Sequence, residues 1–332
     1  MPDLSVPNAG PSAATGTHRW SAYVSIARPD HWFKNVFVLP GIVVGAGSVP
    51  GVEPLELAWR VGLGLVSICL VASSYYTLNE LLDAPFDRFH PTKHARPVPA
   101  GQVRIGVAYG QFVLLALAGL GMSLAVSTAL AATMAALWLM ACAYNVRPLR
   151  TKDRPYLDVL TEAVNNPLRM TAGWFMVTAQ TLPPASLLLA YWMIGAYFMA
   201  LKRLAEYRQI ADAPRAARYR RSFAHYTNDR LLVSVMFYAA ASMLFFGAFC
   251  MRYRLELLLA FPLVAYVMAQ YLYVALKPDS AAQHPERLYR ERGLMLAVVA
   301  CAVLMTGLLA RDLPWLHKAV IPTAPPQAQV LR

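Results

Sequence analysis

The feature that most constrains this chain is a run of 42 residues, 105–146, without one Asp, Glu, Lys, Arg or His. A helix needs about 20 apolar residues to cross a bilayer, so the run predicts two spanning helices joined by a very short turn. Residues 170–201 also lack formal charge, and Pro183-Pro184 divide them. Further apolar runs cover 36–52, 61–78, 231–251, 257–276 and 294–310. With a more polar helix starting near Leu157, the expectation is an all-α integral membrane protein of nine transmembrane helices in a single bundle. Only 14% of the residues are charged, against about a quarter in soluble domains, which excludes a water-soluble globule. Four cysteines in apolar stretches, without CxxC spacing, point to neither a disulfide nor a zinc site.

The loops predict the orientation. Segments 83–104, 146–156 and 277–293 each carry four Lys or Arg, and 202–230 carries eight. Segments 53–57, 122–130 and 179–186 carry none. By the positive-inside rule the N-terminus and the long loops face the cytosol and the C-terminus lies outside, which in a bacterium places the chain in the cytoplasmic membrane. Residues 1–19, rich in Pro, Gly, Ala, Ser and Thr, are expected to be a disordered tail. Residues 20–35 mix Trp20, Tyr23, Trp32 and Phe33 with Arg28 and Lys34, as an interfacial helix would. The catalytic domain is expected over 20–311, followed by a loose tail over 312–332. The net charge of +12 and the Arg/Tyr-rich stretch 215–230 suit anionic headgroups better than nucleic acid in so apolar a chain.

Asn79, Asp83 and Asp87 stand at i, i+4 and i+8, which puts three oxygen donors on one helix face as long as the helix survives Pro85. Such a set suits Mg²⁺, which takes one or two carboxylates and shares phosphate oxygens with a substrate. A solvated acidic helix end is the plainer alternative, but a basic loop follows directly, with Lys93 and Arg96. The expected fifth span carries Asp158, Glu162, Asn165/Asn166 and Arg169 on one stripe, a face directed to the bundle interior. There Arg169 binds an anionic group or stabilises the acids. At the end of the sixth span Lys202 and Glu206 form either a helix-end pair or, with Arg147, Arg150 and Lys152, a basic rim. A basic rim beside a carboxylate-held Mg²⁺ is suited to phosphate and diphosphate groups.

Asn79-x-x-x-Asp83-x-x-x-Asp87 followed by Arg96-Pro97-Val98-Pro99-Ala100-Gly101 resembles the first signature of the UbiA-type intramembrane prenyltransferase superfamily. The stretch Tyr144-Asn145-Val146-Arg147-Pro148-Leu149-Arg150-Thr151-Lys152 resembles its Tyr/Lys loop. Typical members carry a second DxxxD at the cytosolic end of the sixth helix; here Lys202-Arg203-x-x-Glu206 stands instead. That departure, with His90-Pro91-Thr92-Lys93 and Arg28-Pro29-x-x-Trp32-x-Lys34-Asn35, is similar to the decaprenyl-phosphate phosphoribosyltransferase branch.

The resemblance implies a UbiA-like bundle with a cytosol-facing active-site cavity. It implies Mg²⁺-dependent transfer of 5-phosphoribose from phosphoribosyl diphosphate to a polyprenyl phosphate, with release of diphosphate, for lipid-linked pentose and cell-envelope glycan synthesis. Asn79, Asp83 and Asp87 would hold the metal. Lys34, Lys93, Arg96, Arg147, Lys152, Lys202 and Arg203 would meet phosphates. Tyr144, Asp158, Glu162, Arg169 and Glu206 would orient substrate. Homo-oligomerisation stays open, and nucleic acid is not an expected partner. The main alternative is transfer of a polyprenyl group from its diphosphate to an aromatic or other small acceptor. A transporter is the remote one, with the charged stripe as an ion path.

Overall fold

The computed structural model describes residues 20–49, 51, 53–88, 93–210, 212–278, 280–283 and 285–320. The expected tails over 1–19 and 321–332, and His90-Pro91-Thr92 of the loop motif, lie outside the described residues. Within them the chain is helical, with no β-strand. Its α-helices are α1 (Trp20–Ala27), α2 (Leu39–Ser48), α3 (Pro54–Asp87), α4 (Ile105–Val126), α5 (Thr128–Asn145), α6 (Leu157–Ala163), α7 (Asn165–Val177), α8 (Ala185–Ile210), α9 (Ala213–Tyr219), α10 (Asn228–Tyr253), α11 (Phe261–Leu276), α12 (Arg292–Leu309) and α13 (Pro314–Val320).

Among the described residues seven helices are long and apolar enough to cross a membrane: α3, α4, α5, α8, α10, the unit Leu255–Leu276 that contains α11, and α12. The chain is an integral membrane protein. The uncharged 42-residue run is α4 and α5, and Ser127 alone is the turn; its hydroxyl accepts the Leu130 amide at 3.1 Å and so caps α5. The first and fifth expected spans are each built of two consecutive helices. A 3-10 helix, Pro29–Val38, runs into α2, and α6 passes to α7 through Val164. Pro167 accounts for the second break: it lacks an N–H and its ring crowds the carbonyl four residues back, that of Ala163, where α6 stops.

Two expectations for the aqueous segments are corrected. The basic stretch 215–230 does not simply lie on headgroups: it forms much of α9 and a 3-10 turn, Arg221–Ala224, and buries Phe223 and Tyr226 in the core around α8. Part of the expected C-terminal tail is α13, tied down where the buried Glu256 carboxylate accepts the Leu313 amide at 3.2 Å and lies 3.1 Å from His317 Nε2.

Two apolar clusters organise the bundle. One joins the 3-10 helix Pro29–Val38, α3, α5 and α7, through residues such as Val38, Ile68, Met134 and Trp174. The other joins α6, α8, α10, α11 and α12, through Val159, Leu201, Val235 and Val274. Apolar burial gives little drive between helices in lipid, so close backbone approach and polar side chains carry more of the packing. Ser67 Oγ donates to the Gly119 carbonyl at 2.8 Å and Ser74 Oγ to the Phe112 carbonyl at 2.8 Å, which joins α3 to α4.

Between α2 and α7 glycines do this work. A Cβ on Gly41 would run into the Met170 carbonyl, and one on Gly173 into that of Val38. Gly173→Leu is therefore expected to abolish assembly: size-exclusion chromatography in detergent should show aggregate in place of a monodisperse peak. Gly62→Leu, at a position where a Cβ meets nothing within 4 Å, should elute as the parent does.

Candidate functional site

α3 continues through Pro85 to Asp87, so Asn79, Asp83 and Asp87 share one face along about 12 Å of helix. All three border a cavity of ≈ 1190 Å³ between the two halves of the bundle. Glu80 points elsewhere. It is buried and accepts the Val98 amide at 3.2 Å and Arg28 Nη2 at 3.3 Å, which fastens the turn after Arg96 to α3. Gly101, at φ +71, closes that turn in a conformation that glycine adopts without strain.

The loop between α5 and α6 delivers cations to this acidic face. Lys152 Nζ lies 2.5 Å from Asp83 Oδ1 and 3.0 Å from Asn145 Oδ1. Arg150 Nη2 approaches the same Asp83 oxygen at 3.4 Å, and its Nε lies 3.0 Å from Asp153 Oδ2. Arg150 sits at φ +29, a strained conformation for a side chain of its size. From the other side Arg96 Nη1 lies 2.6 Å from Asp87 Oδ2. Burial pulls the ammonium pKa of Lys152 below the usual lysine value, against the opposing charge of Asp83. Burial acts likewise on Lys93, whose ammonium stands 5.5 Å above the Tyr219 ring.

The facing wall is the end of α8. Arg203 Nη1 lies 2.9 Å from Glu206 Oε2, and Lys202 borders the cavity beside them. Arg220 donates to the Tyr144 hydroxyl at 3.0 Å, which links the 215–230 stretch to the Tyr/Lys loop. Glu162, Asn165, Asn166 and Arg169 line the inner part, with Lys34, Tyr75 and Tyr76. Phe198 and Met199 of α8, Val267 and Tyr271 of α11, and Leu294 and Val298 of α12 give a continuous apolar wall. The cavity therefore has a charged compartment and an apolar one, as an amphiphile requires.

Of the expected site residues, the structure brings Asn79, Asp83, Asp87, Lys34, Lys93, Arg96, Tyr144, Lys152, Glu162, Arg169, Lys202, Arg203 and Glu206 to one cavity. Two stand apart. Arg147 is exposed and off the cavity wall, and Arg150 of the same loop occupies the place foreseen for it. Asp158 is fully buried behind the wall, where its carboxylate accepts from Tyr226 Oη at 2.6 Å, Ser222 Oγ at 3.1 Å and Arg203 Nε at 3.2 Å. Its position is that of an anchor, because Arg203, Ser222 and Tyr226 pack onto its side of α6 and use the carboxylate as their common acceptor. The sequence reading assigned no role in the site to Arg220 or to Arg215 and Arg221, which also reach the cavity. The Arg/Tyr composition of their segment was the available signal.

Among the described residues no three His, Cys, Asp or Glu side chains converge as a closed metal cage. The donor set on α3 is one amide and two carboxylate oxygens facing an open cavity. That is suitable for a hard cation that keeps water and shares substrate oxygens, so the residues present fit Mg²⁺.

The profile of the UbiA prenyltransferase family matches residues 35–290. A decaprenyl-phosphate phosphoribosyltransferase of Mycolicibacterium smegmatis is 33% identical over 67% of this chain and 68% of its own. One of Mycobacterium tuberculosis is 30% identical over 68% of this chain and 72% of its own. The fold is similar to that of a UbiA homolog from Archaeoglobus fulgidus bound to GPP and Mg²⁺, with a TM-score of 0.65 at 18% identity, covering 87% of this chain and all of the other.

Proposed function

The chain belongs to the UbiA prenyltransferase family and is a transferase, and from that premise we propose that it moves 5-phosphoribose from phosphoribosyl diphosphate to a polyprenyl phosphate of the decaprenyl type. The seven long helices and the two paired segments together make nine spans in this reading, with residues 20–311 as the catalytic unit and the charged compartment of the cavity open to the cytosol.

The observation that carries the choice of substrates is charge. Eleven Lys and Arg line the cavity against five Asp and Glu, an excess of six. Asp158, directly behind the wall on Arg203, offsets one of these. Phosphoribosyl diphosphate and a polyprenyl phosphate together bring about seven negative charges, of which one Mg²⁺ would offset two. A prenyl diphosphate with an aromatic acid brings only about four, and a cavity for that pair needs far less positive charge.

In this mechanism an oxygen of the lipid phosphate attacks ribose C1. The C1–O bond to diphosphate breaks, and diphosphate leaves with the electron pair. The attacking group is already an anion, so no general base is needed. Lys152, Arg150, Arg96 and Lys93 surround the leaving group, while Arg203 holds Glu206 where it would face the ribose hydroxyls. Mg²⁺ on Asn79, Asp83 and Asp87 would supply further positive charge to the diphosphate. Rate enhancement then comes from positioning and fixed charge. The apolar wall of α8, α11 and α12 would hold the first prenyl units of the acceptor.

The test is a membrane-fraction assay with labelled phosphoribosyl diphosphate and polyprenyl phosphate. Label is expected in the lipid phase with Mg²⁺ and absent from it with EDTA. No transfer, together with Mg²⁺-dependent prenylation of an aromatic acid from a prenyl diphosphate, would assign the chain to the other branch of its family.

A further inference from the structure

Seven of the eleven cations of the cavity form two contrasting groups. Those at the α3 acids and at the end of α8 have carboxylate partners: Arg96 with Asp87, Lys152 and Arg150 with Asp83, Arg203 with Glu206. Lys34, Arg169 and Lys202 also line the cavity, yet among the described residues no carboxylate lies within 4 Å of any of them. They come from three separate elements: the 3-10 helix Pro29–Val38, α7 and α8. Arg169 lies beside Tyr75, which is about 18 Å further along α3 from Asp87, and Lys34 lies over the adjacent Tyr76. These two therefore stand in the inner part of the cavity, with Lys202 between them and the Arg203–Glu206 pair.

Neutral groups aim these cations. The buried Arg169 donates from Nη2 to the Tyr75 hydroxyl at 2.8 Å and from Nε to Asn35 Oδ1 at 3.3 Å. Lys34 Nζ stands 5.8 Å over the Tyr76 ring. Such contacts orient a cation and leave its charge available. On the same wall Asn165 is buried, and its Oδ1 has no hydrogen-bond partner, which leaves an acceptor for a ligand hydroxyl. Holding charge and unmet polarity at this depth is costly and is usual only where a ligand supplies the missing partner.

We infer that Lys34, Arg169 and Lys202 form a second anion subsite, independent of metal, that receives a phosphate monoester. The inference rests on the proposed function for the source of that monoester, which is either the 5-phosphate of the donor or the phosphate of the lipid acceptor. Glu162 acts electrostatically on all three cations. Glu206 acts on Lys202 more strongly still but is itself paired with Arg203, so three positive charges against Glu162 leave two, which matches a monoester close to its dianionic form. The two subsites thus bind anions by opposite means. At the α3 face the carboxylates already hold the cations, so a metal is needed to add attraction for phosphate, whereas the inner set attracts phosphate directly.

The test is calorimetric titration of the purified full chain in detergent, with EDTA throughout. The probes are ribose 5-phosphate, farnesyl phosphate and, as a phosphate-free control, farnesol. At least one monoester is expected to bind without metal, and whichever binds identifies the source. Lys34→Met and Lys202→Met should each weaken that binding at least ~10-fold, about what losing one charge-assisted hydrogen bond costs, while Asp83→Asn leaves it within twofold. Lys202→Gln serves if either methionine variant loses its monodisperse elution.

The inference is overturned if neither monoester binds in EDTA. Binding by farnesyl phosphate alone with an affinity equal to that of farnesol, or equal weakening by Asp83→Asn, would overturn it as well. Mg²⁺-dependent label transfer can succeed in any of these cases, so this subsite and the proposed function stand or fall separately.

Discussion

Asp83→Asn is expected to reduce Mg²⁺-dependent label transfer from phosphoribosyl diphosphate about 1000-fold, the scale of losing a fixed group that stabilises transition-state charge. The substitution keeps the size of the side chain and an acceptor for Lys152, but it removes the central anion of the α3 face. It also removes the counter-charge that Lys152 has at 2.5 Å and Arg150 at 3.4 Å. Initial-rate measurements at saturating substrates should show the loss in kcat. A monodisperse elution profile would show that the bundle is intact. Full turnover in the variant would remove the α3 face from the mechanism.

Asp158→Ala should act on the fold instead. The carboxylate is inaccessible to solvent and holds Tyr226, Ser222 and the buried Arg203 together. Its removal leaves a buried guanidinium short of a partner and two hydroxyls without an acceptor. Breaking a buried ion pair on one side costs about 3–5 kcal/mol, so the apparent Tm in detergent is expected to fall by on the order of 10 °C. A substrate-orienting role would give the reverse pattern, with Tm unchanged and KM raised.

Asp158 also illustrates what the sequence could and could not express. The spanning helices were legible because lipid leaves few alternatives to an uncharged run, and residues 105–146 could fold only as α4 and α5. The triad on α3 was legible because periodicity within one helix is a local property, and Pro85 does not interrupt it. The stripe from Glu162 to Arg169 does reach the cavity, but on two helices where one was expected. Pro167 held the contrary signal, but a proline in the first turn of a helix and one that breaks a helix look alike in sequence.

The residues that came unannounced are those placed by long-range folding. Arg220 is 76 residues from Tyr144, and Tyr226 is 68 from Asp158; no spacing rule connects such pairs. Arg150 was visible as one of four basic residues in its loop. Its selection over Arg147 depends on a backbone twist that composition does not encode.

The excess of positive charge that lines the cavity also bears on the time before any chemistry begins. An apolar wall beside cations that outnumber the acids focuses the field towards the opening, so a polyanion in water would feel attraction before it touches the protein, and ions in the buffer would weaken that attraction. Capture of a soluble multi-phosphate donor would then be limited by how fast it diffuses into this field, and its local concentration would exceed that in bulk. Neutral sugars and cationic metabolites receive no such help. Under the proposed function the bundle would thus sort aqueous solutes by charge at the encounter stage, ahead of any recognition by shape.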